Sequence, residues 1–246
     1  MYHFFVEPEA INGKSITITG KDVNHIKNVL RMKPGEEISV STKDSDAEYR
    51  CIVESLTDEA VFCDLAFIKE GNELPSKIYL FQGLPKSDKM ELIIQKAVEL
   101  GAYEIIPVEM KRCVMKIEPK KAESKIARWQ SISEAAAKQA KRTIVPTVSM
   151  PMSFKEALLK AKECTHKLVP YELAEGMSHT KELFSKIVPG EDIAVFIGPE
   201  GGFDQKEIEL ATESGFEIIT LGKRILRTET AGLFVLSNLS MLLEKD

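Results

Sequence analysis

Long apolar runs are missing from this 246-residue sequence. A membrane-crossing helix needs about eighteen consecutive apolar residues, so no membrane partner is expected. The opening MYHFFVEPEA has no basic flank, no extended apolar stretch and no small-residue cleavage site, and does not read as a secretory leader. The expectation is a soluble, cytoplasmic chain. Cysteine is scarce and scattered: Cys51, Cys63, Cys113 and Cys164 form no C-x-x-C pair. His3, His25, His166 and His179 are equally dispersed, so neither a disulfide framework nor a metal site is built from these residues. Also absent are G-x-G-x-x-G after a first strand and the G-K-[ST] of a phosphate-cradling loop. These absences argue against a dinucleotide-binding enzyme and against a P-loop nucleotidase.

What the sequence does have is an uneven distribution of charge. The net charge is -5, yet residues 76–150 carry 14 basic and 8 acidic side chains, whereas residues 1–75 carry 8 and 14 and residues 151–246 carry 11 and 16. A basic middle third inside an acidic protein is the local asymmetry that an anionic partner requires. It is equally the pattern of an ordinary solvated basic face.

The architecture changes near residue 74. Before it, SITIT (15–19), EISVST (37–42), YRCIVESL (49–56) and AVFCDLAFI (60–68) alternate apolar and polar residues, with one helix over 21–31. A small β-barrel over residues 1–73 is expected, followed by a linker at 69–77. From 74 to 246 strands alternate with helices. The strands are read at 77–84, 103–109, 146–150, 166–172, 192–198 and 216–222, and a helix at 88–101 carries Asp88 and Glu91 as a capping box and Gly101 as its stop. This is the pattern of an α/β fold, a mostly parallel sheet covered on both faces.

Ligands in such sheets gather at the carboxyl ends of strands, and two ends here are unusual. AVFIGPEGGF (194–203) breaks from an apolar strand into Gly198, Pro199, Glu200, Gly201 and Gly202, a turn whose backbone a ligand can approach without meeting a Cβ. As pure turn chemistry it needs no ligand. LGKRILRTETAG (221–232) ends a strand at Gly222, brings Lys223, Arg224 and Arg227 together, and offers Thr228 as a helix cap. The final helix, 230–244, is apolar over most of its circumference, which suggests burial against a second copy or wholly within the chain.

IGPEGGF and LGKRILRTETA, with HIKNVLRMKPGE (25–36), KSDKMELIIQKAVELG (86–101) and RWQSISEAAAKQAKR (128–142), resemble in order the bacterial 16S ribosomal RNA uracil-N3-methyltransferase family of the SPOUT class. The resemblance implies a C-terminal parallel-sheet domain with a trefoil knot, preceded by a PUA-like β-barrel used in RNA binding. It further implies S-adenosyl-L-methionine as cofactor, a homodimer, and 16S ribosomal RNA of the small subunit as partner.

On that resemblance the cofactor site comprises Ile197, Gly198, Glu200, Gly201, Gly202, Leu221, Gly222, Ile225, Leu226 and Ala231, Glu200 reading equally well as a stabiliser of the turn. Methylation of uracil N3 requires loss of its proton, for which Glu229 is the candidate base, with Arg227 steadying charge on the uracil oxygens. Glu229 reads equally well as an acid favoured in a helix's first turn. RNA contacts are expected from Arg31 and Lys33 on the barrel. Further along the chain Lys86, Arg112, Lys116, Lys121, Lys125, Arg128 and Arg142 extend the set, arginine being the better phosphate partner. Trp129 falls in the apolar stripe of its helix and is read as core. Two alternatives remain open: a non-catalytic RNA-binding protein, and a nucleotide-dependent oxidoreductase.

Overall fold

The computed structural model describes residues 1–43, 45–86, 89–174 and 176–244. The chain folds as two compact units, one of residues 1–73 with 137–145, the other of residues 74–136 with 146–246.

In the first unit the strands are β1 (Tyr2–Val6), β2 (Ile11–Asn12), β3 (Ser15–Thr19), β4 (Glu37–Thr42), β5 (Ala47–Leu56) and β6 (Ala60–Glu70), with a short helix α1 (Lys21–Asn24) continuing as a π-turn, His25–Val29. They form one sheet in the order β1-β4-β5-β6-β3-β2. β1 runs parallel to β4 and every other pair is antiparallel. Alternate residues supply the core: Ile16 and Ile18, Ile38 and Val40, Cys51 and Val53, Val61 and Cys63 meet Val23 and Ile26 from the helical segment. Register shifts at Arg50/Cys51 and Val53/Ser55 mark bulges in β5, which bend a strand and increase its twist, as a sheet wrapping its own core demands.

β1 was not foreseen, because YHFFV is buried on both sides and does not alternate: four of its five residues are inaccessible. His3 lies under a polar network in which its Nδ1 is 2.8 Å from Ser39 Oγ, and Ser39 Oγ donates to Glu48 Oε1 at 2.6 Å. Burial pushes the imidazole down to about 4 against the opposing pull of Glu48, so His3 is neutral at physiological pH.

Residues 137–145 are fastened to this unit by charge. Arg142, expected on the RNA-facing surface, is instead 5% exposed. Glu73 accepts Arg142 Nε at 3.1 and 3.2 Å, Arg142 Nη2 at shorter range, and the N–H of Thr143 at 3.0 Å. A buried, forked pair of this kind holds chain to chain and leaves no donor face for phosphate. Lys138 likewise donates to both oxygens of Asp22, at 3.0 and 2.9 Å. The expected linker is also pinned, since Gly71 N donates to Asp46 O and a Cβ on Gly71 would overlap the Asp46 and Thr143 side chains.

The second unit comprises β7 (Ile78–Gly83), α2 (Lys89–Glu99), β8 (Glu104–Glu109), α3 (Pro119–Ala140, whose last turn belongs to the first unit), β9 (Thr147–Val148), β10 (Met152–Ser153), α4 (Phe154–Lys160), β11 (His166–Pro170), α5 (Met177–Ser185), β12 (Ile193–Ile197), α6 (Gln205–Glu213), β13 (Glu217–Ile219) and α7 (Thr228–Leu243). The sheet order is β10-β8-β7-β12-β11-β13, with β9 also on β8, and every pairing is parallel.

Both faces of that sheet are covered. On one, Phe81 and Phe196 stack at 4.3 Å, and Phe154 and Phe216 meet Phe196 edge-on at 5.8 and 4.9 Å, joined by Ala157 and Ile208 from α4 and α6. On the other, α2 and α7 pack together, and α7 also packs on β12. α2 buries Met90, Ile93, Ile94, Ala97 and Val98, the i, i+3, i+4, i+7, i+8 face of a helix, and stops at Gly101, where φ is +87°. The Asp88 half of its expected capping box lies outside the described residues. Capping boxes do stand at α4 (Ser153, Glu156) and α6 (Asp204, Glu207). Trp129 on α3 is buried, at 1% exposure.

Removing one partner of a buried ion pair typically costs about 3–5 kcal/mol, because the other charge is stranded. Glu73→Ala is accordingly expected to lower the unfolding free energy of the first unit by that amount, read as a lower urea midpoint at unchanged slope, with Arg142→Ala equivalent. An unchanged midpoint would show the pair to be dispensable.

Candidate active site

β12 ends at Ile197 and the chain turns through Gly198–Gly202 into Phe203. Pro199 lies directly over Gly83, the last residue of β7, where a Cβ would stand 2.7 Å from the proline ring. Gly202 N donates to Pro199 O at 2.9 Å to close the turn, and Gly202 has φ +67°, a conformation that favours glycine. Phe203 is buried beside Phe154 and anchors the far end. Outside the turn, Arg112 Nη1 donates to Gly201 O at 3.1 Å, and a Cβ on Gly201 would lie 3.0 Å from Arg112 Cβ. A side chain at 201 would therefore press on Arg112 on the outer side of the turn.

The second wall comes from the edge of the sheet. β13 stops at Ile219, three residues earlier than expected, because Thr220 leaves the strand: its N–H donates to Thr180 Oγ1 of α5 at 3.2 Å, while Thr180 Oγ1 donates to Thr220 O at 3.0 Å. Gly222 follows with φ +109°. The chain then runs back to the middle of the sheet to begin α7. Thr228 does not cap that helix as expected; the cap position is Arg227, and Thr228 is the first helical residue. Its hydroxyl instead donates to Gly198 O at 2.6 Å and accepts from Gln82 Nε2 at 2.9 Å.

Between these walls lies a cavity of about 430 Å³, within the usual range for a small-molecule site. Ile197, Gly198, Glu200, Gly202, Leu221, Gly222, Ile225, Leu226 and Ala231 line it, while Gly201 stands behind the turn against Arg112. Also lining it are Lys89, Pro170, Tyr171, Glu172, Phe203 and Thr220, which sequence reasoning did not select. The signal was present for three of them: 170–172 end the expected strand at 166–172, and that strand sits between β12 and β13.

Arg227 lines the same cavity. Glu229 is mostly buried, and Lys89 Nζ lies 3.2 Å from both Glu229 Oε2 and Glu200 Oε1. The hydrogen bond to Glu200 leads the causes that raise the Lys89 ammonium, so it remains charged. Partial burial works to raise the Glu200 carboxyl, but N–H groups, Lys86 N at 3.0 Å among them, and the Lys89 ammonium outweigh it and hold Glu200 below its ordinary value.

Of the expected RNA-facing residues, Lys86 and Arg112 meet at the glycine turn through these bonds. Lys116 is exposed. Along α3, Lys121 pairs with Glu118 at 3.0 Å, Arg128 with Glu91 at 2.8 Å, and Lys125 lies 5.5 Å from the Trp129 ring. Exposed pairs of this sort are weak and exchange readily for another anion. Arg31 and Lys33 are exposed on the first unit, Arg31 with φ +55°.

Residues 72–240 match the family model described as an RNA methyltransferase domain, and residues 18–66 the one described as an RNA methyltransferase PUA domain. Ribosomal RNA small subunit methyltransferase E of Bacillus subtilis (strain 168) is 38% identical, over 98% of this chain and 96% of its own. The chain belongs to the ribosomal RNA small subunit methyltransferase E family. The member from Mesomycoplasma hyopneumoniae (strain 232) is 35% identical over 96% of this chain and 98% of its own. The family member from Neisseria gonorrhoeae, solved bound to S-adenosyl methionine, is 32% identical, covers 98% of each chain and superposes with a TM-score of 0.84. A Legionella pneumophila structure solved with the same cofactor bound is 32% identical over 98% of this chain and 97% of its own, with a TM-score of 0.83. The PUA-containing first unit and the parallel α/β second unit are thus the fold of this methyltransferase E family.

Leaving a buried donor or acceptor unpaired costs about 1–3 kcal/mol. Thr228→Val, which keeps the shape and removes the hydroxyl, is expected to destabilise the second unit by that amount in chemical denaturation, whereas Thr228→Ser is expected to restore most of it.

Proposed function

We propose that the protein methylates N3 of a uridine in 16S ribosomal RNA of the small ribosomal subunit, using S-adenosyl-L-methionine. The observation that carries the reading is the cavity between the glycine turn and the Thr220–Arg227 segment, in a chain of this family. The cavity suits the cofactor on its own chemistry. Ile197, Leu221, Leu226 and Ala231 give apolar walls for an adenine ring, and Gly198, Gly202 and Gly222 leave backbone groups open to its polar edge. Bound there, S-adenosylmethionine supplies a methyl group made electrophilic by its sulfonium.

The residues of this chain then have to prepare the base. Uracil N3 bears a proton, and its lone pair is delocalised into the ring carbonyls. Glu229 takes that proton in our reading, and Arg227 steadies the negative charge that develops on the uracil oxygens. Lys89, 3.2 Å from Glu229, orients the carboxylate and ties it to Glu200 of the cofactor turn. Arg31 and Lys33 of the PUA-like unit (residues 1–73) and Lys86, Arg112, Lys116, Lys121, Lys125 and Arg128 of the methyltransferase unit (74–246) are assigned to the RNA backbone. Association with cytoplasmic ribosomal particles follows from that substrate.

Two structural features of the resembled class are also inferred. The return of the chain from edge strand β13 to Gly198 and Gln82 at the sheet centre supports a trefoil knot threaded by residues 220–227. Phe234, Met241 and Leu242 on α7 are 43%, 80% and 41% exposed, while Leu236, Leu239 and Leu243 face the core; the exposed set supports a homodimer through this helix.

The function is tested by nucleoside mass spectrometry of ribosomal RNA after incubating the protein and S-adenosylmethionine with small subunits lacking the modification. The expected product is 3-methyluridine. Arg227→Ala is expected to retain cofactor affinity and to lower the rate by a factor of about 10² or more. A methyl group on another atom or another RNA would contradict the reading. For the dimer, Met241→Asp is expected to yield a folded monomer in sedimentation, and an unaltered assembly would remove α7 from the interface.

A further inference from the structure

The charges around the cavity do not cancel where they stand. Its lining carries four cations, Lys89, Lys223, Arg224 and Arg227, and two acids, Glu172 and Glu200. Lys89 and Glu200 are already committed to each other at 3.2 Å. That leaves three cations facing one carboxylate, Glu172. Among the described residues no hydrogen bond or ion pair engages Glu172.

Its position is fixed by the backbone. β11 lies between β12 and β13, so the residues after Pro170 emerge between the glycine turn and the Thr220–Gly222 wall. Tyr171 N donates to Ile219 O at 2.9 Å and Ala174 N to Tyr171 O at 3.1 Å, which holds the segment as a turn. The carboxylate points across the cavity: a Cβ built on Gly202 would stand 3.7 Å from Glu172 Oε1.

A ligand that is itself positively charged is repelled by Lys223, Arg224 and Arg227 unless one group offsets them. We infer that Glu172 is the counter-charge for the cationic end of the cofactor and the residue that makes the cavity select a charged adenosyl ligand over a neutral one. The inference rests on the cofactor reading above. Lys223 and Arg224 then serve the carboxylate of the cofactor's amino-acid group, Arg227 being left to the uracil, so the cavity offers both signs to a zwitterionic end. Two positive groups on S-adenosylmethionine have this chemistry, the α-ammonium and the sulfonium.

Calorimetric titration of the full chain with three ligands separates the possibilities. S-adenosylmethionine has both positive groups, S-adenosylhomocysteine has the ammonium alone, and 5′-methylthioadenosine has neither. Glu172→Gln is expected to weaken S-adenosylmethionine by about tenfold or more and to leave 5′-methylthioadenosine unchanged. An equal loss for S-adenosylhomocysteine assigns the ammonium as partner, and no loss for it assigns the sulfonium; either supports the inference. Equal weakening of all three ligands, or of none, overturns it. A variant with a lowered melting temperature still reports, because misfolded protein lowers the fitted stoichiometry for all three ligands alike, whereas loss of the counter-charge changes the ratio of their affinities. If the wild-type protein binds none of the three, the cofactor reading itself fails, a result distinct from a wild-type protein that binds and a variant that behaves identically.

Discussion

The hydroxyl of Thr228 uses its donor and one acceptor position inside the protein, and three elements depend on them. It donates to the carbonyl of Gly198, where β12 gives way to the glycine turn, and accepts from Gln82 at the end of β7. Thr228 is also the first residue of α7, so these bonds tie the start of that helix to the ends of β12 and β7. α7 then packs against β12, and Gly232 on its buried side lies beside Ile197 and Gln82. A chain that has just left the edge of the sheet at Ile219 is thereby returned to its centre, and the cavity is the space the return path encloses. Hydrogen bonds to buried partners are most consequential when their loss leaves other groups unpaired, and Gln82 is wholly buried in β7.

Rigidity on the outer side of the turn has a separate origin. Glu207, 7% exposed, accepts Lys111 N through one oxygen and Asp204 N through the other, each at 2.8 Å. Lys111 Nζ reaches Asp204 at 2.9 Å and Arg112 reaches Gly201 O. The segment after β8, rich in positive charge, is therefore fastened to the back of the turn whose front faces the cavity. Backbone positions that approach a ligand need such support, because glycine by itself imposes little conformational restraint.

Much of this was legible in the residues, and the failures have physical causes. β3 and β4 coincide with their expected segments because apolar and polar residues alternate along SITIT and EISVST, although β4 buries its serines and threonine as well. β1 escaped because YHFFV is covered on both faces, and residues 137–145 escaped because nothing local to Arg142 and Thr143 announces Glu73 and Asp46, some seventy and ninety-seven positions away. Arg142 shows the limit of reading charge as surface: a guanidinium can be buried when a carboxylate meets it with several hydrogen bonds, and sequence does not say where that carboxylate is. The cavity was found by its glycines and by LGKRILRTETA, yet Lys89 and Glu172 were missed. Their relevance arises from strand order, which places the ends of β7 and β11 beside those of β12 and β13, and order is not written in any one segment.

The central claim is that the turn at 198–203 and the path at 220–228 form one binding site held by Thr228. Hydrogen exchange followed by mass spectrometry, with and without S-adenosylmethionine, addresses it directly. The account predicts slowed exchange in peptides spanning both segments and little change in residues 1–73. Protection confined to one segment, or appearing elsewhere in the chain while both remain unaltered, would contradict it.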